Sequence, residues 1–255
     1  MILMAFRSGH NKPLKQGAHG VARVISKRGY CSRSQAEKLV REGHVTLRGK
    51  PVRAPESPAY ENDEILVDGV PVIASEFVYF AMNKPRGIVT TASDEKGRKT
   101  VMDLFREQFA KMYPGKPMPH IAPVGRLDAA SEGLLLFTND TQWADEQLTA
   151  PSHKKIYRVQ VAGKPTAAEL SQMEKGFNVA ARVFGEKEEF MHADRVTLVS
   201  EGEKNCWLEF TLSEGKNREI RRMLAHLGYE VLRLMRIQFD KFKLDDLKPG
   251  KIRAI

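Results

Sequence analysis

Apolar positions change their spacing along this chain, and the changes mark two bodies. Val21, Val24 and Ile25 recur at helical spacing and stop at Gly29. Ser32, with Gln35 three residues on, forms a capping box for a second helix, Arg33 to Glu42, which puts Ala36, Leu39 and Val40 on one side and ends at Gly43. The period then shortens to two. Val45-Thr46-Leu47, a turn at Arg48-Gly49-Lys50, and Ile65-Leu66-Val67 ahead of Asp68-Gly69 read as short strands joined by tight turns. Residues 21–72 are therefore expected to form a small α+β module. Before it, residues 7–20 mix basic side chains with Gly, Asn, Pro and Gln without a period, so 1–20 is expected to be a disordered basic arm.

A linker near residues 73–76 opens a second domain, 77–255. Phe77 to Met82 alternates as a strand, Asn83 to Gly87 reads as a turn, and Ile88-Val89-Thr90 as a return strand. Val101 to Tyr113 is an amphipathic helix with Leu104, Phe105, Phe109 and Met112 on its inner side. Leu134 to Phe137 is continuously apolar and reads as a buried strand, followed by a helix at Thr141 to Leu148 and a strand at Ile156 to Val161. Thr166 and Glu169 form a capping box for a helix that closes near Gly176. Strands at Arg195 to Val199 and Cys206 to Leu212 precede a helix from Asn217 to Leu227, with Asn217 as its cap and Gly228 as its stop. Strands and helices that do not alternate regularly predict an α+β domain whose mixed, mainly antiparallel sheet is flanked by helices.

Charge adds a partner to this picture. Residues 1–54 hold 12 Lys and Arg against two Glu, 55–215 carry net −7, and 216–255 carry +6, within a total of +9. Clustered cations at both ends suit a polyanion, because phosphate neutralisation rewards their grouping. Cys31 and Cys206 lie far apart, with no pairing or metal-ligand spacing, and fit buried thiols in a reducing compartment. No window approaches a membrane span, and the apolar start is too short for a signal-peptide core. The chain is read as cytoplasmic.

The candidate chemistry centres on Gly125-Arg126-Leu127-Asp128, followed by Ser131-Glu132-Gly133-Leu134-Leu135-Leu136. An acid on a Gly-containing turn just before a buried strand is displayed at a sheet edge. Three further blocks stand around it in order: Asn83-Lys84-Pro85-Arg86-Gly87, Lys155-Ile156-Tyr157, and Glu214 to Met223 running on to Gly228 and Leu232 to Arg236. Together they resemble the signature of the RNA pseudouridine synthases. Residues 21–72, with Ser32-Arg33 opening the second helix and Gly43-His44-Val45 after it, resemble the RNA-binding module named after small-subunit ribosomal protein S-four. A chain carrying both is similar to the family branch that modifies small- or large-subunit ribosomal RNA.

That resemblance implies an enzyme that isomerises uridine to pseudouridine after flipping it out of structured RNA. Asp128 is then the essential carboxylate, acting at the ribose as nucleophile or as base. Arg221 occupies the family's counter-cation position, and its place at the margin of the helix's apolar stripe lets it reach inward to Asp128 while Arg218 and Arg222 point toward phosphates. Tyr157 shares a strand face with Val159 and Val161, as a wall for the flipped base and an aid to proton removal from its carbon five. Lys84 and Arg126 are further RNA contacts, with positioning of the Asp128 turn as the alternative for Arg126. On the amino-terminal module, Arg23, Lys27, Arg28, Arg33, Lys38, Arg41, Arg48 and Lys50 are candidate phosphate contacts, with surface ion pairing as the alternative for any one of them. Ribosomal RNA or a ribosomal-subunit precursor is the expected partner, and the acting unit a monomer.

The isomerisation is redox-neutral, so no cofactor is expected, and the scattered histidines indicate no metal site. No Gly-Lys pair is followed by Ser or Thr, which excludes a P-loop. Two departures from the family pattern stand out: a short connection from Pro151 to Tyr157, which would shift the tyrosine or tighten the loop, and a long segment from Leu104 to Pro119, read as a lid or added RNA contact. The rivals are a non-catalytic RNA-binding assembly factor and a nucleoside hydrolase using Asp128 with Glu132 as paired carboxylates.

Overall fold

The computed structural model describes residues 17–91, 97–180 and 187–255, so most of the expected arm lies outside the described residues. Its end is paired: His19–Gly20 (β1) is antiparallel to Pro58–Ala59. The adjoining module holds helices Val21–Lys27 (α1) and Arg33–Glu42 (α2), then strands Val45–Leu47 (β2), Lys50–Val52 (β3), Pro58–Ala59 (β4), Ile65–Val67 (β5) and Val70–Pro71 (β6). The α2 capping box forms in both directions, with Ser32 Oγ accepting from Gln35 N and Gln35 Oε1 accepting from Ser32 N, and Gly43 closes the helix at φ 87°. Such a cap contributes about 1 kcal/mol. Arg48-Gly49 and Asp68-Gly69 all have positive φ, as two-residue turns matching the strand twist require. The inner faces of α1 and α2 close on Val45, Leu47, Ile65 and Val67 as a separate core.

The larger body begins with Tyr79–Lys84 (β7) and Val101–Met112 (α3), then Ala122–Val124 (β8), Glu132–Thr138 (β9), Thr141–Thr149 (α4) and Lys155–Ala162 (β10). Next come Ala167–Lys175 (α5), Phe177–Val179 (β11), Glu189–Met191 (β12), Arg195–Glu201 (β13) and Asn205–Leu212 (β14). Glu219–His226 (α6), Val231–Phe239 (β15), Phe242–Lys243 (β16) and Ile252–Ala254 (β17) complete it. Its sheet runs β13-β14-β10-β15-β9-β7-β17, with β8 also on β9 and β16 on β15. Every neighbour pair is antiparallel except β15 with β9. The unbroken apolar run of β9 is explained by burial on both faces: Leu135 and Phe137 join the main core, Leu134 and Leu136 the core on the reverse face.

Several local expectations are corrected. Ile88 to Thr90 is not a strand; only Val89 makes a bridge, to Thr100, because the chain leaves the sheet here to bond the Asp128 loop. Asn83 and Lys84 end a strand rather than begin a turn. Met112, where α3 ends, is exposed rather than buried. The segment read as a lid begins in the core, since Leu104, Phe105 and Phe109 of α3 pack with Phe80 and Phe137, and only its later part, around residues 110–117, is mostly exposed. Asn217 does not cap α6: the preceding residue is Arg218, at φ 53° with no side-chain cap, and Glu219 Oε2 instead accepts from Lys216 N. Of the two cysteines Cys206 is buried, whereas Cys31 is only half-buried.

Two irregularities in the sheet set the positions of Arg236 and Tyr157. A register shift between β10 and β15 skips Ile237, so that Tyr157 faces Arg236 directly. On the other side of β15, Gly133 pairs with Arg236 at φ 101°, and a Cβ there would be driven into the Arg236 carbonyl oxygen. We expect Gly133→Ala to cost about 3 kcal/mol of stability or more. Gly228→Ala, also at positive φ but with open space, should cost only ~1–2 kcal/mol. Urea unfolding of both variants measures the difference, and equal losses would refute the close-approach argument.

Candidate active site

Asp128 lies in the loop between β8 and β9, and its position follows from where that loop's backbone carbonyls are held. Gly125 turns the chain at φ 72°. Thr90 Oγ1 donates to Leu127 O (2.7 Å) and accepts from Leu127 N (3.3 Å), while Gly87 N donates to Ala129 O (2.7 Å). Lys84 Nζ donates to the carbonyls of Pro85 (3.1 Å), Asp128 (3.1 Å) and Ser131 (2.7 Å). From α6, Arg221 donates to Ala130 O (3.1 Å) and Val231 O (3.2 Å). With its carbonyls engaged by Lys84, Arg221 and Thr90, the loop leaves the Asp128 carboxylate to project into a cleft of about 410 Å³. That volume suits a single nucleobase with part of its sugar.

The ion pair at Asp128 differs from expectation. Arg218 Nη1 lies 3.1 Å from Asp128 Oδ2, and Arg221 makes no salt bridge to it. The reason is the start of α6: Arg218 sits one residue before the helix, in a left-handed conformation that turns it toward the cleft, whereas Arg221 is drawn to carbonyls. Arg221 still belongs to the cleft wall, and burial, reinforced by Arg218, lowers its pKa while Asp128 opposes the shift. Arg222 does not point toward phosphate either; it pairs with Glu189 (2.5 Å) and donates to Ala180 O. Tyr157 is buried on the cleft wall.

Lys84 is likewise not an RNA contact. It is fully buried, and desolvation lowers its pKa to about 8, with Asp128 and Glu132 opposing the shift. Arg126 is exposed on the rim of the cleft, with no partner among the described residues. Glu132 is not on the cleft wall: both its oxygens accept from Arg233 (2.5 and 3.0 Å), so it forms no carboxylate pair with Asp128 for the hydrolase alternative. Four charged cleft residues have no role assigned from the sequence: Lys155, Lys216, Glu219 and Arg236. Period two carried the signal for Lys155, which shares a strand face with Tyr157, and for Arg236, which shares one with Leu234. A second cleft, about 630 Å³ between Arg158, Trp207 and Asp245, contains none of the motif residues except Met235.

On the amino-terminal module the cations divide. Arg28 donates to Val72 O and Glu61 O, Lys27 pairs with Glu61 (2.9 Å), and both are half-buried and structural rather than free for phosphate. Arg33, Lys38, Arg41 and Arg48 are exposed in surface ion pairs, which are weak enough to be exchanged for phosphate. Arg23 and Lys50 are exposed without a partner among the described residues.

The RNA pseudouridylate synthase family matches residues 78–226, more than half of the sequence. The chain belongs to that family. An S4 domain matches residues 21–72. The synthase is 34% identical over 236 residues to ribosomal large subunit pseudouridine synthase B of Bacillus subtilis (strain 168), covering 91% of this chain and 90% of that one. It is 35% identical over 241 residues to an RNA pseudouridine synthase of Rickettsia felis, covering 92% and 96%. A crystal structure of a pseudouridylate synthase superposes with a TM-score of 0.59 at 28% identity, covering 93% of this chain and 96% of the other. The synthase is thus an enzyme that isomerises uridine in RNA.

The Lys84 clamp gives a pH prediction. The unfolded chain keeps the Lys84 proton up to its ordinary pKa of 10.5, while the folded chain sheds it from about 8. The unfolded state therefore binds more protons between these values, and stability gains from Lys84 as pH rises through that window. Urea unfolding at about pH 7.5 and about pH 10 should show wild type gaining relative to Lys84→Met. An unchanged difference would refute the assignment.

Proposed function

We propose that the synthase isomerises one specific uridine of ribosomal RNA, with Asp128 as catalytic carboxylate and the S4 domain as the RNA anchor. The observation that carries this reading is the Asp128 carboxylate, held by Arg218 and aimed into a nucleobase-sized cleft walled by Tyr157. Large-subunit RNA is the address we favour, because the Bacillus relative bears that name. We take a monomer as the acting unit. A ribosomal RNA substrate puts it in the cytoplasm.

The chemistry follows from the groups present. A uridine stacked in a helix is out of reach, so it must be flipped into the cleft, where Tyr157 offers a ring face. Excluding water from the cleft raises the cost of a carboxylate's charge. The Arg218 guanidinium offsets this cost, and its attraction strengthens as substrate displaces solvent. When the bond from C1′ to N1 breaks, its electron pair leaves with the base. The sugar is satisfied either by addition of the Asp128 carboxylate to C1′ or by loss of the C2′ proton to it; the sequence and the geometry accommodate both. The base then turns and C5 bonds to C1′, expelling the Asp128 carboxylate in the first route or with Asp128 returning the proton to C2′ in the second; the C5 proton leaves and N1 takes one up, so atoms and charge balance without a cofactor.

Asp128→Asn should abolish pseudouridine formation in large-subunit ribosomal RNA while RNA affinity holds, as read by carbodiimide-blocked primer extension and filter binding. Wild-type protein that binds but makes no pseudouridine would remove the enzymatic reading, and release of free uracil would favour hydrolysis instead. Arg23→Glu tests the anchor. It should weaken RNA affinity roughly three- to tenfold and lower the salt slope by about one, leaving turnover at saturating RNA unchanged. Unaltered affinity would take the first helix off the RNA-facing surface.

A further inference from the structure

The floor of the cleft contains a cation that the isomerisation steps leave without a task. Arg236 is only 3% exposed; its Nε donates to Leu134 O (2.8 Å), and its guanidinium lies 5.0 Å from the Phe239 ring centroid. Its Nη2 is buried and has no partner. No carboxylate forms a salt bridge with Arg236 among the described residues, and Lys155 Nζ, also buried, lies 5.3 Å over the same ring. A buried guanidinium with an unmade hydrogen bond is costly to maintain unless something binds there.

The sheet gives this donor its direction. The register shift places Arg236 directly opposite Tyr157, and both line the cleft with Asp128. A base stacked on Tyr157 presents its ring edge, with the carbonyl oxygens O2 and O4, to the neighbouring strand. We infer that Arg236 Nη2 donates to one of these carbonyls and stabilises the negative charge that reaches it as the glycosidic bond breaks. This rests on the reading that the cleft receives a flipped uridine. Heterolysis leaves the bonding pair on N1, delocalised onto O2 and O4, so the hydrogen bond is stronger in the transition state than in the bound substrate. Such a contact raises turnover more than affinity.

The test uses wild type, Arg236→Met and Arg236→Lys on large-subunit ribosomal RNA transcripts made with uridine, 2-thiouridine or 4-thiouridine. Single-turnover rates are read by nucleoside chromatography and affinity by filter binding. Arg236→Met should lower the rate roughly ten- to a hundredfold with affinity within about twofold, and Arg236→Lys should recover part of it. Sulfur is a poor acceptor, so one thio substitution should slow wild type while leaving Arg236→Met comparatively unaffected; which one identifies the carbonyl. Rates for Arg236→Met within about threefold of wild type, or thio effects equal in both proteins, would overturn the inference. If circular dichroism shows Arg236→Met unfolded, Arg236→Lys carries the thio comparison. Should wild type make no product on the uridine transcript, the ribosomal address fails separately. The rate comparison then moves to total RNA from a strain lacking the protein, where an equally fast Arg236→Met still overturns the inference.

Discussion

The structure depends on two cations, Lys84 fully buried and Arg221 half-buried, holding the carbonyls of one loop. Lys84 takes the carbonyls of Pro85, Asp128 and Ser131, and Arg221 takes those of Ala130 and Val231. A loop in the middle of a domain has unsatisfied carbonyls that must find donors, and here they find charged ones, which make stronger bonds than neutral donors. Lys84 comes from the end of β7, Arg221 from α6, and Val231 opens β15, so three elements distant in sequence converge on residues 128–131. The loop is rigid because its backbone is used up, and the carboxylate is available because its side chain is not.

The same convergence explains two of the sheet's irregularities. Gly133 lets β9 approach β15 where Arg236 crosses, and the skipped Ile237 turns Arg236 toward Tyr157. A regular sheet with any side chain at 133 would hold these strands apart and move the cleft floor away from Asp128. Both irregularities lie within one residue of the cleft, where bulges and close approaches serve to re-aim side chains.

Much of the frame was legible in the sequence because local rules and tertiary needs agree there. The Ser32 and Thr166 capping boxes, the paired left-handed turns at Arg48-Gly49 and Asp68-Gly69, and the apolar run of β9 each fold as their local chemistry dictates. The acid, its turn and the tyrosine wall were legible from motif order. What the sequence withheld was the division of labour among the cations. An arginine three positions from another on a helix looks equivalent to it; only the left-handed residue before α6 shows that Arg218 faces Asp128 and Arg221 faces carbonyls. Lys84, Arg28 and Arg222 read as phosphate ligands because burial is not visible in composition, yet each is engaged by carbonyls or a carboxylate. Strands such as β15 were missed because their charged residues mask the alternation.

Charge in the cleft is arranged by depth, and depth separates the tasks. At the mouth, Asp128 and Arg218 are both partly exposed, so their pairing stays weak until substrate excludes water. On the floor, Arg236 and Lys155 carry charge without salt-bridged carboxylates, and Glu219, whose pKa burial raises, is the acid beside Lys155. A neutral uridine bound as proposed would meet its sugar-directed anion at the rim and cations at the base edge. Breaking the glycosidic bond sends electrons inward, toward the positive end. In that pose the arrangement would favour the separated sugar and uracil anion over the neutral nucleoside, and would hold the freed base by charge while it turns to present carbon five.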